Sequence, residues 1–226
     1  MILAAGRGER MRPLTDHIPK SMLQVGGKPL IFRHLEKLAD AGFGSVVINY
    51  AHLGEQIESA VGDGGRWNLT IQFSPEAQAL DTAGGICNAL PLLREQVFAV
   101  VNADVYSDYD YAGLAAACVA LLQTDRVAHL VLVDNPQHHE AGDFALASGY
   151  AALQGERFTF SGLSACRPEL YASVKRGARA KLAPLLATYI ARRQVSAEHF
   201  GGTWCDVGTP ERLSELNRGL ARFNAD

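Results

Sequence analysis

Met1-Ile2-Leu3-Ala4-Ala5-Gly6-Arg7-Gly8-Glu9-Arg10-Met11 opens the chain, and Arg12-Pro13-Leu14-Thr15 carries the pattern on to Pro19-Lys20. A short apolar strand runs straight into a glycine-rich, basic turn. Such a turn sets bare backbone N–H groups at the end of a sheet, where an anion can sit. Gly6 and Gly8 permit close backbone approach and positive φ. Arg7, Arg10, Arg12 and Lys20 supply cationic donors suited to phosphate oxygens. The segment therefore reads as a polyphosphate site on the front edge of an α/β sheet; the plainer alternative is a solvated basic turn after an edge strand. No G-x-x-x-x-G-K-[ST] loop occurs, and a dinucleotide G-x-G-x-x-G fails at its third glycine, where Met11 stands.

Outward from this turn, strand-like and helix-like stretches alternate. Ser45–Tyr50, Leu69–Phe73, Val97–Val101 and Ala128–Val133 are apolar, β-branched runs that predict strands. Between them, Ile31, Leu35, Leu38 and Ala39 share one helical face within Ile31–Ala41, as do Ile86, Leu90 and Leu93 after Gly85. Continuous apolar strands with helices between them imply a parallel sheet covered on both faces. Ligands of such sheets bind outside the carboxyl ends of the strands, where both the Gly6–Arg12 turn and the segment after Val101 fall. The second half is less regular. Gly142–Ala147, Gly149–Leu153 and Phe158–Cys166 predict short antiparallel strands, Leu182–Arg193 a helix, and Val195–Phe200 and Thr203–Asp206 strands. Thr209–Phe223 reads as a closing helix with Thr209 as cap and Pro210 at its first position.

The 226 residues suit one α/β domain, and a hydrophobic fraction of 48% supports a sizeable core. A net charge of −3 without any basic block argues against nucleic acid as a partner. No stretch is long and apolar enough to span a membrane, and no signal peptide is visible. Cys87, Cys118, Cys166 and Cys205 lie far apart and fit no C-x-x-C pattern, which predicts reduced thiols in or near the core. These features point to a soluble, cytoplasmic protein.

Two further segments carry chemistry. Val100-Val101-Asn102-Ala103-Asp104 ends an apolar strand on two polar side chains, and their spacing of two aims both the same way. A carboxylate there suits Mg²⁺, which takes one or two carboxylates and completes its shell with phosphate oxygens and water; alternatively Asp104 caps the next segment. Far along the chain, Trp204-Cys205-Asp206-Val207-Gly208-Thr209-Pro210-Glu211 sets a second carboxylate just before a helix N-terminus.

Taken together, L-A-A-G-x-G-x-R with its P-L-T-x-x-x-P-K continuation, the A-D step at Asp104 and W-x-D-x-G-T-P-E around Asp206 resemble the sugar-1-phosphate nucleotidyltransferases. Pro75-Glu76 and Leu80-Asp81-Thr82-Ala83-Gly84-Gly85 resemble that family's base-recognition stretch, E-x-x-P-L-G-T-A-G, with Asp81 in place of the usual Gly. The resemblance implies a Rossmann-like (GT-A-like) α/β fold: a mostly parallel central sheet, helices on both faces and a small antiparallel sugar-side subdomain over about 135–200, all in one domain over 1–226. It implies Arg10, Lys20, Asp104 and Asp206 as catalytic residues and Asp104 and Asp206 as the ligands of Mg²⁺. It further implies Leu3, Ala4, Ala5, Gly6, Gly8, Glu76, Thr82, Ala83, Gly84 and Asn102 around the nucleotide.

Gly142-Asp143-Phe144 and Phe160-Ser161-Gly162-Leu163 lie where the family binds the sugar phosphate, implying roles for Gly142, Asp143, Ser161, Gly162 and, further on, Lys181. His138-His139 lacks further ligands at metal spacing and reads as a surface loop. The usual E-K-P string between the two sugar segments is absent. This short form, with N-P-x-H-H, G-D-F, F-S-G and K-L-A-P-L-L, is similar to the uridylyltransferases that act on N-acetylmuramate 1-phosphate in cell-wall recycling. The implied partners are a nucleoside triphosphate, UTP foremost, and a sugar 1-phosphate, with a monomer or small homo-oligomer as the working form. A mannose-1-phosphate guanylyltransferase, a glucose-1-phosphate uridylyl- or thymidylyltransferase, and a silent nucleotide-sugar-binding regulatory module are the alternatives; the last should have lost one of Arg10, Lys20, Asp104 and Asp206, and all are present.

Overall fold

The computed structural model describes residues 1–223. After β1 (Ile2–Leu3) and the basic turn come a small hairpin, β2 (Gln24–Val25) and β3 (Lys28–Pro29), then α1 (Leu30–Asp40), β4 (Ser45–Tyr50), α2 (Gly54–Val61), β5 (Thr70–Pro75), α3 (Asp81–Leu93) and β6 (Phe98–Asn102). β7 (Val105–Ser107), α4 (Ala112–Leu122), β8 (Ala128–Val133), β9 (Phe144–Ala147), β10 (Tyr150–Ala152) and β11 (Arg157–Cys166) follow. The chain closes with α5 (Leu182–Ile190), β12 (Val195–Phe200), β13 (Trp204–Asp206) and α6 (Pro210–Phe223).

A nine-stranded sheet in the order β5-β4-β1-β6-β11-β8-β12-β10-β9 organises the molecule. Its first four strands run parallel, as their apolar sequences predict. In the second half, where a small antiparallel subdomain is expected, β9, β10 and β11 do pair antiparallel, but as part of the one sheet. There β11 inserts antiparallel between β6 and β8, while β12 pairs parallel with β8. The sheet is therefore mixed. β11 accomplishes this with a bulge between Phe160 and Ser164, where the register with β8 shifts.

Helices cover both faces. α1 buries Ile31, Leu35 and Leu38 on one side of β4 and β1, beside Trp67 and Leu69. Each such side chain contributes roughly 1.5–3 kcal/mol by leaving water. α3 and α5 pack Ile86, Ala89, Leu182, Leu186 and Ile190 against the other face. β7 and β13 form a separate antiparallel ribbon at the carboxyl end of β6. Thr209 caps α6 as expected, accepting from the Arg212 N–H at 3.4 Å. All four cysteines are free thiols. No helix among the described residues is long and apolar enough to cross a membrane.

Candidate active site

The cleft opens at the carboxyl ends of β1, β4 and β6, where a Rossmann-type order places its ligand crevice. Its volume is ≈ 240 Å³, and Leu3, Ala4, Ala5, Gly6, Gly8, Lys20, Thr82, Asn102 and Asp104 all lie in its wall. The turn owes its shape to Asn49, which accepts the Ala4 N–H on its side-chain oxygen at 3.0 Å. The N–H groups of Ala5 through Gly8 meet no protein acceptor among the described residues. Gly8 has φ +70°, and a Cβ there would lie 3.0 Å from Thr15 and 3.3 Å from the stem of Lys20. A side chain is thus doubly disfavoured, and Lys20 passes over Gly8 to pair with Asp104. Arg7 and Arg12 instead pair with Glu9 and Asp16 on the surface, each at 2.7 Å. Arg10 is exposed and outside the cleft wall.

Asp104 and Asp206 are brought together by the β7–β13 ribbon. Asp206 stands opposite Val105, and the Val207 N–H donates to the Asp104 carbonyl at 2.8 Å. Each carboxylate carries a cation of its own: Lys20 on Asp104, and Arg212 on Asp206, with Nη1 at 2.5 Å from both oxygens. Behind the ribbon, His34 is buried, with Nδ1 2.7 Å from the Tyr111 hydroxyl, and burial pushes its pKa down to about 4.

This donor set fits a hard divalent cation. Two carboxylates on neighbouring backbone segments, with phosphate oxygens and water completing the shell, are the kind of donor set Mg²⁺ takes, so no all-protein cage is needed. Among the described residues no cluster of three or more His, Cys, Asp or Glu side chains offers such a cage. Ser21, buried in the cleft wall beside Lys20, has a hydroxyl without a partner among the described residues, as a group awaiting a polar ligand would.

On the base side the structure redistributes the expected roles. Glu76 is buried behind the cleft rather than in its wall. One of its oxygens accepts from Asn49 Nδ2 at 2.6 Å and the other from the Leu80 N–H at 2.9 Å. It therefore orients Asn49, which in turn holds Ala4. Gly85 makes room for this network, since a Cβ there would come within 2.7 Å of both Asn49 and Glu76. The N–H groups of Ala83 and Gly84 are occupied by the Ala180 carbonyl, at 3.0 and 3.1 Å, leaving Asp81 and Thr82 of that stretch in the cleft wall. Gly84 is needed because a Cβ would strike the Ala178 carbonyl. Asp81 sits at φ +58°, a left-handed backbone that Gly adopts freely and Asp tolerates, and Arg179 grips both its oxygens, at 2.8 and 3.1 Å.

The sugar-side candidates are mostly consumed by the fold. Asp143 accepts the Phe160 N–H at 2.8 Å and meets His139 Nε2 at 3.1 Å, clasping β9 to β11. Ser161 is buried in the β11 bulge, donating to the Val131 carbonyl at 2.7 Å and accepting from the Leu163 N–H at 3.1 Å. Gly142 and Gly162 have φ +59° and +82°, and Gly162 lets β11 lie against Asn102, whose Nδ2 would be 2.6 Å from a Cβ. Lys181 is exposed ahead of α5.

Sequence reasoning missed Asn49, Ser21 and Arg212. Asn49 gave a signal of the same kind as Asn102, a polar residue ending an apolar strand. Arg212 gave none, because its partner His138 lies in a loop 74 residues away.

Residues 1–151 match the family described as nucleotidyl transferase. An N-acetylmuramate alpha-1-phosphate uridylyltransferase of Neisseria meningitidis is 50% identical over 220 residues, covering 95% of this chain and 95% of that protein. One of the same description from Caulobacter vibrioides is 33% identical, covering 98% and 96%. Among solved structures, a UDP-glucose pyrophosphorylase complexed with UDP-glucose has a TM-score of 0.78 at 19% identity, covering 98% of this chain and 97% of that one. HddC from Yersinia pseudotuberculosis, complexed with GMP-PN, has 0.75 at 21%, covering 97% of each. At such identities these structures establish the shared α/β fold.

Proposed function

The chain belongs to the nucleotidyl transferase family, and from that premise we propose that it joins UTP to N-acetylmuramate 1-phosphate, forming UDP-N-acetylmuramate and pyrophosphate in peptidoglycan recycling. The likeness along nearly the whole length of the Neisseria meningitidis uridylyltransferase is the observation that carries the choice of substrates. The geometry supports the chemistry.

A phosphate oxygen of the sugar 1-phosphate attacks the α-phosphorus of UTP. The new P–O bond forms as the bond from the α-phosphorus to the α,β-bridging oxygen breaks, and pyrophosphate leaves with the electron pair. The attacking group is already an anion, so no side-chain nucleophile is needed. The work lies in holding two anions in line and in stabilising the charge that develops between them. The open N–H groups of Ala5 through Gly8 receive the polyphosphate. Lys20 turns from Asp104 toward the α-phosphate, Arg10 closes on the β- and γ-phosphates from the surface, and Ser21 offers its hydroxyl. Leu3, Ala4, Thr82 and Asn102 line the base and ribose space. Glu76 acts through Asn49, keeping Ala4 and the turn in place. Asp104 and Asp206 would hold Mg²⁺, which supplies neutralising charge to the phosphates when bound. All of this lies within a single working unit over 1–226, with the part from about 135 to 200 on the sugar side.

The test is pyrophosphate release with Mg²⁺, crossing UTP, GTP, dTTP, CTP and ATP with the 1-phosphates of N-acetylmuramate, N-acetylglucosamine, glucose and mannose. Preference for UTP with N-acetylmuramate 1-phosphate is the expected result. A different preferred pair would keep the mechanism and overturn the substrate assignment. Tight nucleotide binding without release by any pair would overturn the enzymatic reading.

A further inference from the structure

Asp104 lies in the cleft wall and Asp206 beside it on the ribbon, outside that wall; each carboxylate is matched to one cation, yet only one of those cations belongs to the nucleotide turn. Lys20 reaches Asp104 from beside the open N–H groups. Arg212 reaches Asp206 from the first turn of α6. Its side chain is 15% exposed and that of Asp206 25%, so the pair is sheltered but open to solvent on one side.

Arg212 also meets the loop 134–143. Its Nη1 lies 2.6 Å from His138 Nε2, and His138 Nε2 lies 2.9 Å from Asp206 Oδ1. Nε2 can accept from Arg212 or donate to Asp206, not both at once, so the three groups share protons in a closed cluster. His138 stands in the loop 134–143, which Asn135 organises by donating to the carbonyls of Glu140 and Arg157 at 3.1 and 2.8 Å. This ordered loop leaves the His138 side chain 40% exposed beside Asp206.

The arrangement has a consequence for charge. Nη1 of Arg212 is 2.5 Å from both oxygens of Asp206. A divalent cation coordinated by that carboxylate displaces it from at least one of them. The guanidinium, held by its helix and sharing the carboxylate with a dication, is then less fully neutralised and open to a further anion. The nucleotide phosphates are already served by the turn, Lys20 and Ser21. On the nucleotidyltransferase reading, the second anion of the reaction is the sugar 1-phosphate.

We propose that Arg212, aided by His138, is the binding site for the phosphate of the sugar substrate, and that its pairing with Asp206 is a placeholder given up when the metal enters. This rests on the nucleotidyltransferase reading and adds to it a residue at which the two substrates are coupled. Each cation exchanges a carboxylate for a phosphate: Lys20 on the nucleotide side, Arg212 on the sugar side. The sugar phosphate then finds its guanidinium free only after the metal has loaded, which favours ordered binding. The planar guanidinium suits bidentate recognition of a phosphate, which an ammonium does not reproduce.

A placeholder and a mere brace make opposite predictions for metal binding. Binding of Mn²⁺ alone to the nucleotide-free, full-length chain is measured by electron paramagnetic resonance for the natural sequence, Arg212→Ala, Arg212→Lys and His138→Ala. If Arg212 is a placeholder, Arg212→Ala removes a competitor and Mn²⁺ binds several-fold tighter, while KM for the sugar 1-phosphate rises on the order of tenfold and KM for UTP stays within about twofold. Arg212→Lys restores the metal affinity toward the natural value and only part of the sugar KM. If Arg212 is only a brace for Asp206, Arg212→Ala binds Mn²⁺ more weakly or equally well, and that result overturns the proposal, as does an equal rise in both KM values. Should Arg212→Ala fail to fold, Arg212→Gln is put to the same two measurements with the same outcomes. The metal reading does not depend on turnover, so natural enzyme that makes the nucleotide sugar while Arg212→Ala shows no tighter Mn²⁺ binding refutes this inference and leaves the proposed function standing.

Discussion

The turn at Ala4–Gly8 and the segments at Asn135–Gly162 carry equally suggestive residues, and the fold uses them in opposite ways. In the turn, the backbone N–H groups of Ala5 through Gly8 are left without protein partners among the described residues, and Ser21 beside them keeps a hydroxyl without a partner among those residues. In the sugar-side segments, Asp143, Ser161 and Asn135 already spend their polar atoms on backbone groups of β8, of β11 and of the loop ahead of β9. A site must keep hydrogen-bonding capacity in reserve, whereas a strut is satisfied from within. The difference separates residues that can touch a ligand from those that hold the walls apart, and sequence motifs do not make that distinction.

The sharpest way to break this comparison is on the nucleotide side. Asp104→Asn should lower kcat by about a hundredfold or more, the scale of losing a charge-stabilising group, with little change in melting temperature; near-normal turnover in Mg²⁺ would show that the reserve at the end of β6 is not catalytic. Acid titration probes the same half through stability. His34 is buried neutral, with its pKa held at about 4 against an ordinary 6.5. The unfolded chain therefore takes up this proton first as pH falls. The contribution of His34 is complete above pH 6.5 and drains away as pH drops through 4, by up to about 3 kcal/mol. His34→Gln should flatten that stretch of the stability curve measured by urea unfolding. On the strut side, Gly162→Ala forces a side chain into a left-handed backbone against Asn102, and should cost roughly 1–3 kcal/mol of stability. The smallest effect is expected of Asp143→Ala, about 1 kcal/mol from its lost hydrogen bonds, with KM for the sugar phosphate nearly unchanged. A large rise in that KM with unaltered stability would move Asp143 from strut to site.

Much of the nucleotide half was legible because its signals are local. β4 and β6 announce themselves as apolar runs closing on Asn49 and Asn102, and α1 shows its buried face at helical spacing. α4 escaped notice because Ala-Gly-Leu-Ala-Ala-Ala-Cys-Val-Ala-Leu-Leu has no polar face to reveal a period. The insertion of β11 between β6 and β8 was not readable either, since strand order is decided by tertiary packing and not by the strand's own residues. The same holds for roles set by long-range partners. Glu76 was recognised as part of the base region, but only the fold shows that both its oxygens are taken by Asn49 and Leu80. His139 and Asp143 looked like loop and ligand, and the fold joins them in one clasp.

Both halves converge on the ribbon that sets the backbone of Asp104 beside that of Asp206, where these two carboxylates would act as one metal-holding unit. The most direct measurement is a double-mutant cycle on kcat in Mg²⁺ with Asp104→Asn, Asp206→Asn and the pair. Residues that act as a unit are strongly non-additive. If the two carboxylates act as one unit, each single change costs about a hundredfold or more and the double variant is little worse than the poorer single. Losses that multiply would contradict this, because they would mean that Asp104 and Asp206 serve the reaction independently.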